Sequence, residues 1–217
     1  MLFRLFGLLR TDPLAFFWIL ISTCIALIVA ITVHEFSHGF IANIFGDSTA
    51  KRSGRLSLNP LVHLDPMGTI MLFVAGFGWG KPVPVNPYYL RNGVRTGMAL
   101  VSLPGPVSNL LCAGVFGILA RTIPPPFSDL FYYIVLYNII LAIFNLVPLP
   151  PLDGFKILLG IVPAETSRSF SKIERYGPAI LIIVIMLDSF TNLNLFWGIL
   201  RLPVNFFSKL FLGQTLF

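Results

Sequence analysis

Residues 14–45 read LAFFWILISTCIALIVAITVHEFSHGFIANIF, and this stretch decides the fold. It is long enough to cross a bilayer as one helix, because about 20 apolar residues suffice for that. Glu35 is its one acidic or basic residue apart from the flanking His34 and His38. An ionised carboxylate at bilayer depth costs roughly 2.5–3.5 kcal/mol on insertion scales, so we expect Glu35 to have a function.

The pattern of these three residues is typical of a zinc-binding helix. Four positions apart on a helix, His34 and His38 lie on one face, where both imidazoles can bind one metal ion. Glu35 is turned by about 100° from His34, so it can face a water molecule beside the metal without being a ligand. The spacing predicts a zinc peptidase site with one Zn²⁺ per chain and Glu35 as the general base.

The composition indicates a membrane protein with several spans. Hydrophobic residues make up 56% of the 217 positions and charged residues only 11%, whereas soluble domains contain about 25% charged residues. Further apolar stretches lie at 98–119 and 130–161, and less certain ones at 178–187 and 193–212. We expect an all-α polytopic fold with a single peptidase domain over 1–217, a catalytic core at about 14–160 and one or two C-terminal helices at about 177–213.

The charges of the loops predict the orientation of the chain. The net charge is +6, and an excess of Lys and Arg in cytoplasmic loops explains it without a nucleic-acid partner. Ten basic residues follow the first and third spans, against three on the opposite side. This bias places the loops after residues 45 and 161 in the cytoplasm. His38 would then lie roughly 10 Å into the membrane from that face, and the site would open towards the cytoplasm.

A catalytic zinc normally has a third protein ligand, and Asp153 is the favoured candidate. It follows a proline-rich segment, NLVPLPPLDG at 145–154, near the end of the third span. The prolines remove backbone donors, so the third helix should be broken there. Unwound backbone at membrane depth is tolerated where it lines a water-filled cavity. Asn145 either binds substrate backbone or caps the broken helix.

Other acidic and imidazole side chains compete for the ligand role. His63 and Asp65 are two positions apart in a loop-like segment, where a structural role such as capping a helix that begins at Pro66 is favoured. Glu165 and Glu174 lie in a charged, solvated loop. A glutamate ligand would indicate a membrane zincin with a cytosolic active site, and a non-catalytic metal-binding scaffold is a third interpretation.

Two further segments have expected roles near the site. Residues 76–87, GFGWGKPVPVNP, favour an extended or hairpin segment at the membrane surface, which could hold a substrate by strand addition or simply connect two helices. In residues 104–109, PGPVSN, Gly105 permits the close approach of another helix. Asn109 either orients a zinc ligand or the scissile carbonyl, or packs within the bundle.

Taken in order, three motifs resemble those of a known family. They are HEFSH at 34–38, PGPVSN at 104–109 and NLVPLPPLDG at 145–154, with a glycine- and proline-containing loop at 46–69 between the first two. In this arrangement the chain resembles the site-2 proteases, the intramembrane zinc metalloproteases, in their compact bacterial and archaeal form without a PDZ or nucleotide-sensing domain.

The resemblance implies a three-helix catalytic core in which His34, His38 and Asp153 bind zinc and Glu35 activates water. It also implies that single-pass transmembrane proteins are cleaved within the bilayer of a prokaryotic cell, near the cytoplasmic face. The natural substrate, the regulation and the oligomeric state stay open.

Overall fold

A computed structural model describes residues 2–75, 79–191 and 195–216, and within these ranges the chain forms α-helices and no regular strand. The helices are α1 Leu2–Thr11, α2 Pro13–Ile44, α3 Thr49–Arg52, α4 Pro66–Ala75, α5 Val94–Ser102, α6 Pro104–Thr122, α7 Phe127–Asn145, α8 Asp153–Ile161, α9 Ala164–Ser171, α10 Gly177–Thr191 and α11 Leu195–Leu212. The expected all-α architecture is confirmed.

Three segments are long and apolar enough to cross a membrane: Pro13–Ile44, Val94–Thr122 and Phe127–Asn145. They correspond to the three predicted core spans. The second comprises α5 and α6, which meet at Leu103 immediately before Pro104, where proline lacks the backbone N–H that would continue the helical hydrogen bonds. The chain is therefore a multi-pass membrane protein built from helices.

The three core helices α2, α6 and α7 pack against one another. Helix α2 begins at Pro13, and the Asp12 side chain accepts a hydrogen bond from the Ala15 N–H at 3.0 Å, as expected of a helix N-cap. Helix α11 lies against α6 and α7. An apolar cluster joins these last three helices, formed by Ala113, Val135, Ile139, Ile143, Leu200 and Val204.

The predicted break in the third span is confirmed. Helix α7 ends at Asn145, residues 146–152 are irregular, and α8 begins at Asp153 and packs against α5. Gly154 lies so close to the carbonyls of Leu146 and Val147 that a Cβ there would collide with them. The prolines end one helix, and the glycine lets the next begin against the backbone of the break.

Two predicted peripheral regions are described only in part. Of the extended segment, residues 76–78 lie outside the described residues, while 79–86 has no regular secondary structure beyond an isolated antiparallel bridge between Leu64 and Gly80. The C-terminal stretches fall in α10 and α11, with 192–194 outside the described residues. Neither α10 nor α11 is among the described helices that are long and apolar enough to cross a membrane.

Candidate active site

Two helices bring three ligand atoms together. His34 and His38 lie one turn apart on α2, and the break after α7 brings the start of α8, with Asp153, beside them. The His34 Nε2 is 3.0 Å from the His38 Nε2 and 3.0 Å from an oxygen of Asp153, which is 3.1 Å from the His38 Nε2. All three residues are at least nine-tenths buried. Their donor atoms form a nearly equilateral triangle.

The hydrogen bonds of His34 determine which of its nitrogens is free. Its Nδ1 lies 2.7 Å from the Oδ1 of Asn109, which can only accept. The orientation of that amide is determined in turn, because its Nδ2 donates to the Ala30 carbonyl at 2.9 Å and to the Oδ1 of Asn138 at 2.8 Å. Hence the His34 Nδ1 carries the proton, and in the neutral ring its Nε2 presents a lone pair to the triangle.

His38 is held in the same tautomer by a different partner. Its Nδ1–H donates to the Val101 carbonyl at 2.7 Å, so its Nε2 also presents a lone pair. Two nitrogen lone pairs and a carboxylate oxygen thus converge, and they repel one another unless a cation lies between them. Tetrahedral ligand atoms around zinc are about 3.3 Å apart at Zn–N distances of about 2.0–2.1 Å, so this donor set fits that ion.

Glu35 lies beside this donor set and outside it. The two histidines, Glu35 and Asp153 line one cavity of about 260 Å³. One carboxylate oxygen of Glu35 accepts a hydrogen bond from the Val83 N–H at 2.8 Å. Val83 belongs to the extended segment, which Arg55 fixes by donating to the carbonyl of Lys81 and, at 3.1 Å, to that of Pro82. No sequence pattern predicts this contact between the extended segment and the Glu35 carboxylate.

The close approach predicted at Gly105 occurs at the site itself. A Cβ on Gly105 would collide with the imidazole rings of both His34 and His38. The backbone of α6 at Gly105 therefore packs directly against the His34 and His38 rings. One turn further along α6, Asn109 contacts His34. The Asn109 side chain thus contacts the His34 ring, and it is not among the residues that line the cavity.

Asn145 and Asn138 occupy different positions. Asn145 lines the cavity and donates from Nδ2 to the Leu141 carbonyl one turn back in α7, at 3.0 Å. Asn138, which sequence reasoning missed, is fully buried and donates to the Ile134 carbonyl at 2.8 Å while accepting from Asn109. A polar residue in the middle of an apolar span was the signal that could have found it.

The competing ligand candidates lie elsewhere. His63 is buried and donates from Nε2 to the Ser57 carbonyl at 2.7 Å, and Asp65 accepts from the Gly68 N–H at 2.8 Å, which confirms that it caps α4. Glu165 and Glu174 are exposed. Within the described ranges, the group of His, Cys, Asp and Glu side chains close enough to share one ion is the one formed by the two α2 histidines and the aspartate of α8.

Comparison with known proteins identifies the class. Residues 101–187 match the model of Peptidase family M50. The chain is 43% identical to YwhC of Bacillus subtilis over 171 residues, which are 74% of this chain and 78% of that protein. It is 31% identical to Rip2 of Mycolicibacterium smegmatis over 184 residues, 81% and 70% of the two chains. It is 31% identical to MJ0611 of Methanocaldococcus jannaschii over 149 residues, 64% and 70%.

All three relatives carry provisional names as zinc metalloproteases. No solved structure matches the chain significantly. The fold and the donor set define a multi-pass membrane metalloprotease. The chain belongs to peptidase family M50, and its activity is that of a zinc-dependent metalloprotease.

Proposed function

We propose that this metalloprotease cleaves single-pass membrane proteins within their transmembrane segments, near the cytoplasmic face of the bilayer. The observation that carries the proposal is the position of the site. Two of the three donor residues, His34 and His38, lie with Glu35 on α2, a helix long and apolar enough to cross the membrane, and not on a loop outside it. A peptide bond must come to that depth to meet them.

The proposed orientation rests on the loop charges and on the length of α2. His38 stands six residues before the end of α2 at Ile44, which corresponds to about 9 Å at 1.5 Å per residue. The loop that follows contains basic residues such as Lys51 and Arg52, and an excess of such residues favours the cytoplasmic side. The site would therefore lie in the cytoplasmic half of the bilayer and receive water from that side.

In this proposal His34, His38 and Asp153 hold the zinc ion. When bound, zinc supplies a Lewis acid that polarises a peptide carbonyl and makes water a nucleophile near neutral pH. Glu35 accepts the proton from the attacking water and delivers it to the departing amide nitrogen. Asn109 and Asn138 keep the His34 ring in the tautomer that presents Nε2, which is a positioning role.

The proposed reaction requires a locally unwound substrate. In a membrane-spanning helix the backbone N–H and C=O groups bond within the segment, so a peptide carbonyl becomes free to approach the donor set only after its turn of helix has opened. Asn145 and the backbone around Val83, which line the cavity, are placed to bind the unwound chain.

The test compares wild type with Glu35→Gln in detergent or liposomes. Both proteins should contain one zinc per chain, and only wild type should cleave a panel of single-pass substrates; loss of a general base lowers rates by about 10²–10⁴-fold. The cut sites are then located by mass spectrometry.

Three outcomes would contradict parts of this proposal. Cuts confined to soluble loops would overturn the intramembrane assignment. Equal cleavage by Glu35→Gln would remove Glu35 from its role. The orientation is tested in proteoliposomes in which the substrate reaches the enzyme from one side only. Cleavage that requires access from the non-cytoplasmic face would reverse the proposed orientation.

A further inference from the structure

A second cavity, of about 530 Å³, lies between α5, α8 and α9. Val94, Met98 and Leu159 give it an apolar wall. Met98 and Lys156 line both this cavity and the smaller one that holds the metal donors, so the two cavities are neighbours. The proposed hydrolysis makes no use of the second cavity.

Basic side chains from all three helices line the cavity: Arg95 from α5, Lys156 from α8 and Arg168 from α9. Arg95 donates from Nη2 to the Gly160 carbonyl at 3.0 Å, which holds its guanidinium at the wall, and its buried Nε–H has no acceptor. Within the described residues none of the three cations forms an ion pair with a carboxylate, although the exposed Glu174 also lines the cavity. With three basic side chains against one carboxylate, the lining of the cavity has an excess of positive charge.

We propose that this cavity binds the phosphate of an anionic phospholipid. A phosphate group matches the planar donors of arginine and the ammonium of lysine. The hydroxyl of Ser167, which also lines the cavity, adds a donor for a phosphate oxygen.

The apolar wall favours a lipid over free phosphate. Helix α5 begins the second membrane-crossing segment at Val94, so the cavity lies where a spanning segment starts. A headgroup at that level leaves its acyl chains beside Met98 and Leu159, which gives the ligand an apolar contact that inorganic phosphate cannot make. Anionic lipids are enriched in cytoplasmic leaflets, the side to which the loop charges assign this end of the chain.

The experiment measures lipid retention, which does not depend on proteolysis. Purified protein is equilibrated with equal amounts of phosphatidylglycerol and phosphatidylcholine, and bound lipids are counted by native mass spectrometry. The variant is the double substitution Lys156→Gln and Arg168→Gln; Arg95 is left intact because it bonds to the backbone of α8. Lys209→Gln, an exposed lysine on α11 outside the cavity, is the matched control.

We expect wild type and the Lys209→Gln control to retain phosphatidylglycerol preferentially, and the double variant to lose that preference by about tenfold or more. Equal retention in all three proteins would overturn the proposal. A second measurement titrates wild type with inorganic phosphate alone. Phosphate binding that depends on Lys156 and Arg168, without any preference for phosphatidylglycerol, would replace the lipid by a soluble anion and overturn the assignment.

Discussion

The chain combines histidine with aspartate in two places, and within the described residues one of them brings its donor atoms close enough to share a metal ion. On α2 and α8, the Nδ1 atoms of His34 and His38 are bound by the protein and both Nε2 atoms point to Asp153. In the loop before α4, His63 uses Nε2 to bind the Ser57 carbonyl, while Asp65 turns to the first turn of α4.

The difference shows that the hydrogen-bond partner of a histidine determines its role as much as the residue type does. A histidine whose Nδ1–H is bound by an acceptor presents a lone pair at Nε2, and a second such histidine one turn away presents another to the same point. A histidine whose Nε2–H binds a nearby carbonyl instead fastens a loop. Buried imidazoles in one chain thus acquire opposite roles from their partners alone.

The strongest test of this comparison replaces one histidine from each place. His38→Ala should lower zinc affinity by more than about 100-fold, because it removes a ligand and not a supporting contact, for which about 10–100-fold is typical. His63→Ala should keep one zinc per chain. Zinc is measured by competition with a chromophoric chelator. If His63→Ala lost zinc as completely as His38→Ala, the two places would not differ as described.

The second test displaces both imidazoles without removing either. Gly105→Ala puts a Cβ into the space of the His34 and His38 rings, and overpacking of this kind typically costs about 1–3 kcal/mol. Zinc affinity should fall by up to about 100-fold. The control is Gly198→Ala on α11, where an added Cβ meets nothing within 4 Å. Unchanged zinc affinity in Gly105→Ala would show that the rings move aside freely.

The third test concerns the partner of Asn109. Asn138→Leu removes the oxygen that accepts from the Asn109 amide, which frees that amide to turn and weakens the orientation of His34. We expect zinc affinity to fall by about tenfold. Asn138→Asp keeps an acceptor oxygen in the same place, so its zinc affinity should lie close to that of wild type. The visible spectrum of the cobalt-substituted protein reports the ligand geometry. Equal behaviour of the two variants would reduce Asn138 to a packing residue.

The smallest expected effect belongs to the other histidine–aspartate pair. Asp65→Ala removes the side-chain acceptor of the Gly68 N–H at the start of α4, and such caps contribute about 0.5–2 kcal/mol. Thermal unfolding in detergent should show a modest loss of stability, with zinc content unchanged. Asp65→Asn, which keeps an acceptor oxygen, should lie close to wild type. A loss of zinc from Asp65→Ala would connect this loop to the metal.

Most of the core followed from local sequence rules. The length of the apolar run before Phe45 predicts α2, and its histidine spacing predicts two of the three converging donor atoms. The prolines after Asn145 predict the break that precedes Asp153. Gly105 predicts a point of close approach, because glycine lacks a side chain.

The contacts that sequence reasoning missed join parts of the chain distant in sequence. The bond from Asn109 to Asn138 spans 29 positions, and the bond from Val83 to Glu35 spans 48. Neither has a local pattern, because spacing rules describe neighbours within one helix and say nothing of which residue of another element arrives beside them. The Lys156 and Arg168 cavity was missed for the same reason.

The separation between His34 and Asp153, 119 positions along the chain, has a thermodynamic consequence. With the proposed ligands, an unfolded chain offers zinc at most the two histidines of α2, and the complete donor set exists only after α7 and α8 have reached their places. Binding to the assembled state alone stabilises it, by about 2.7 kcal/mol when free zinc is 100 times its dissociation constant. Availability of the metal would thus set how much of this protein stays folded, in addition to how much of it can react.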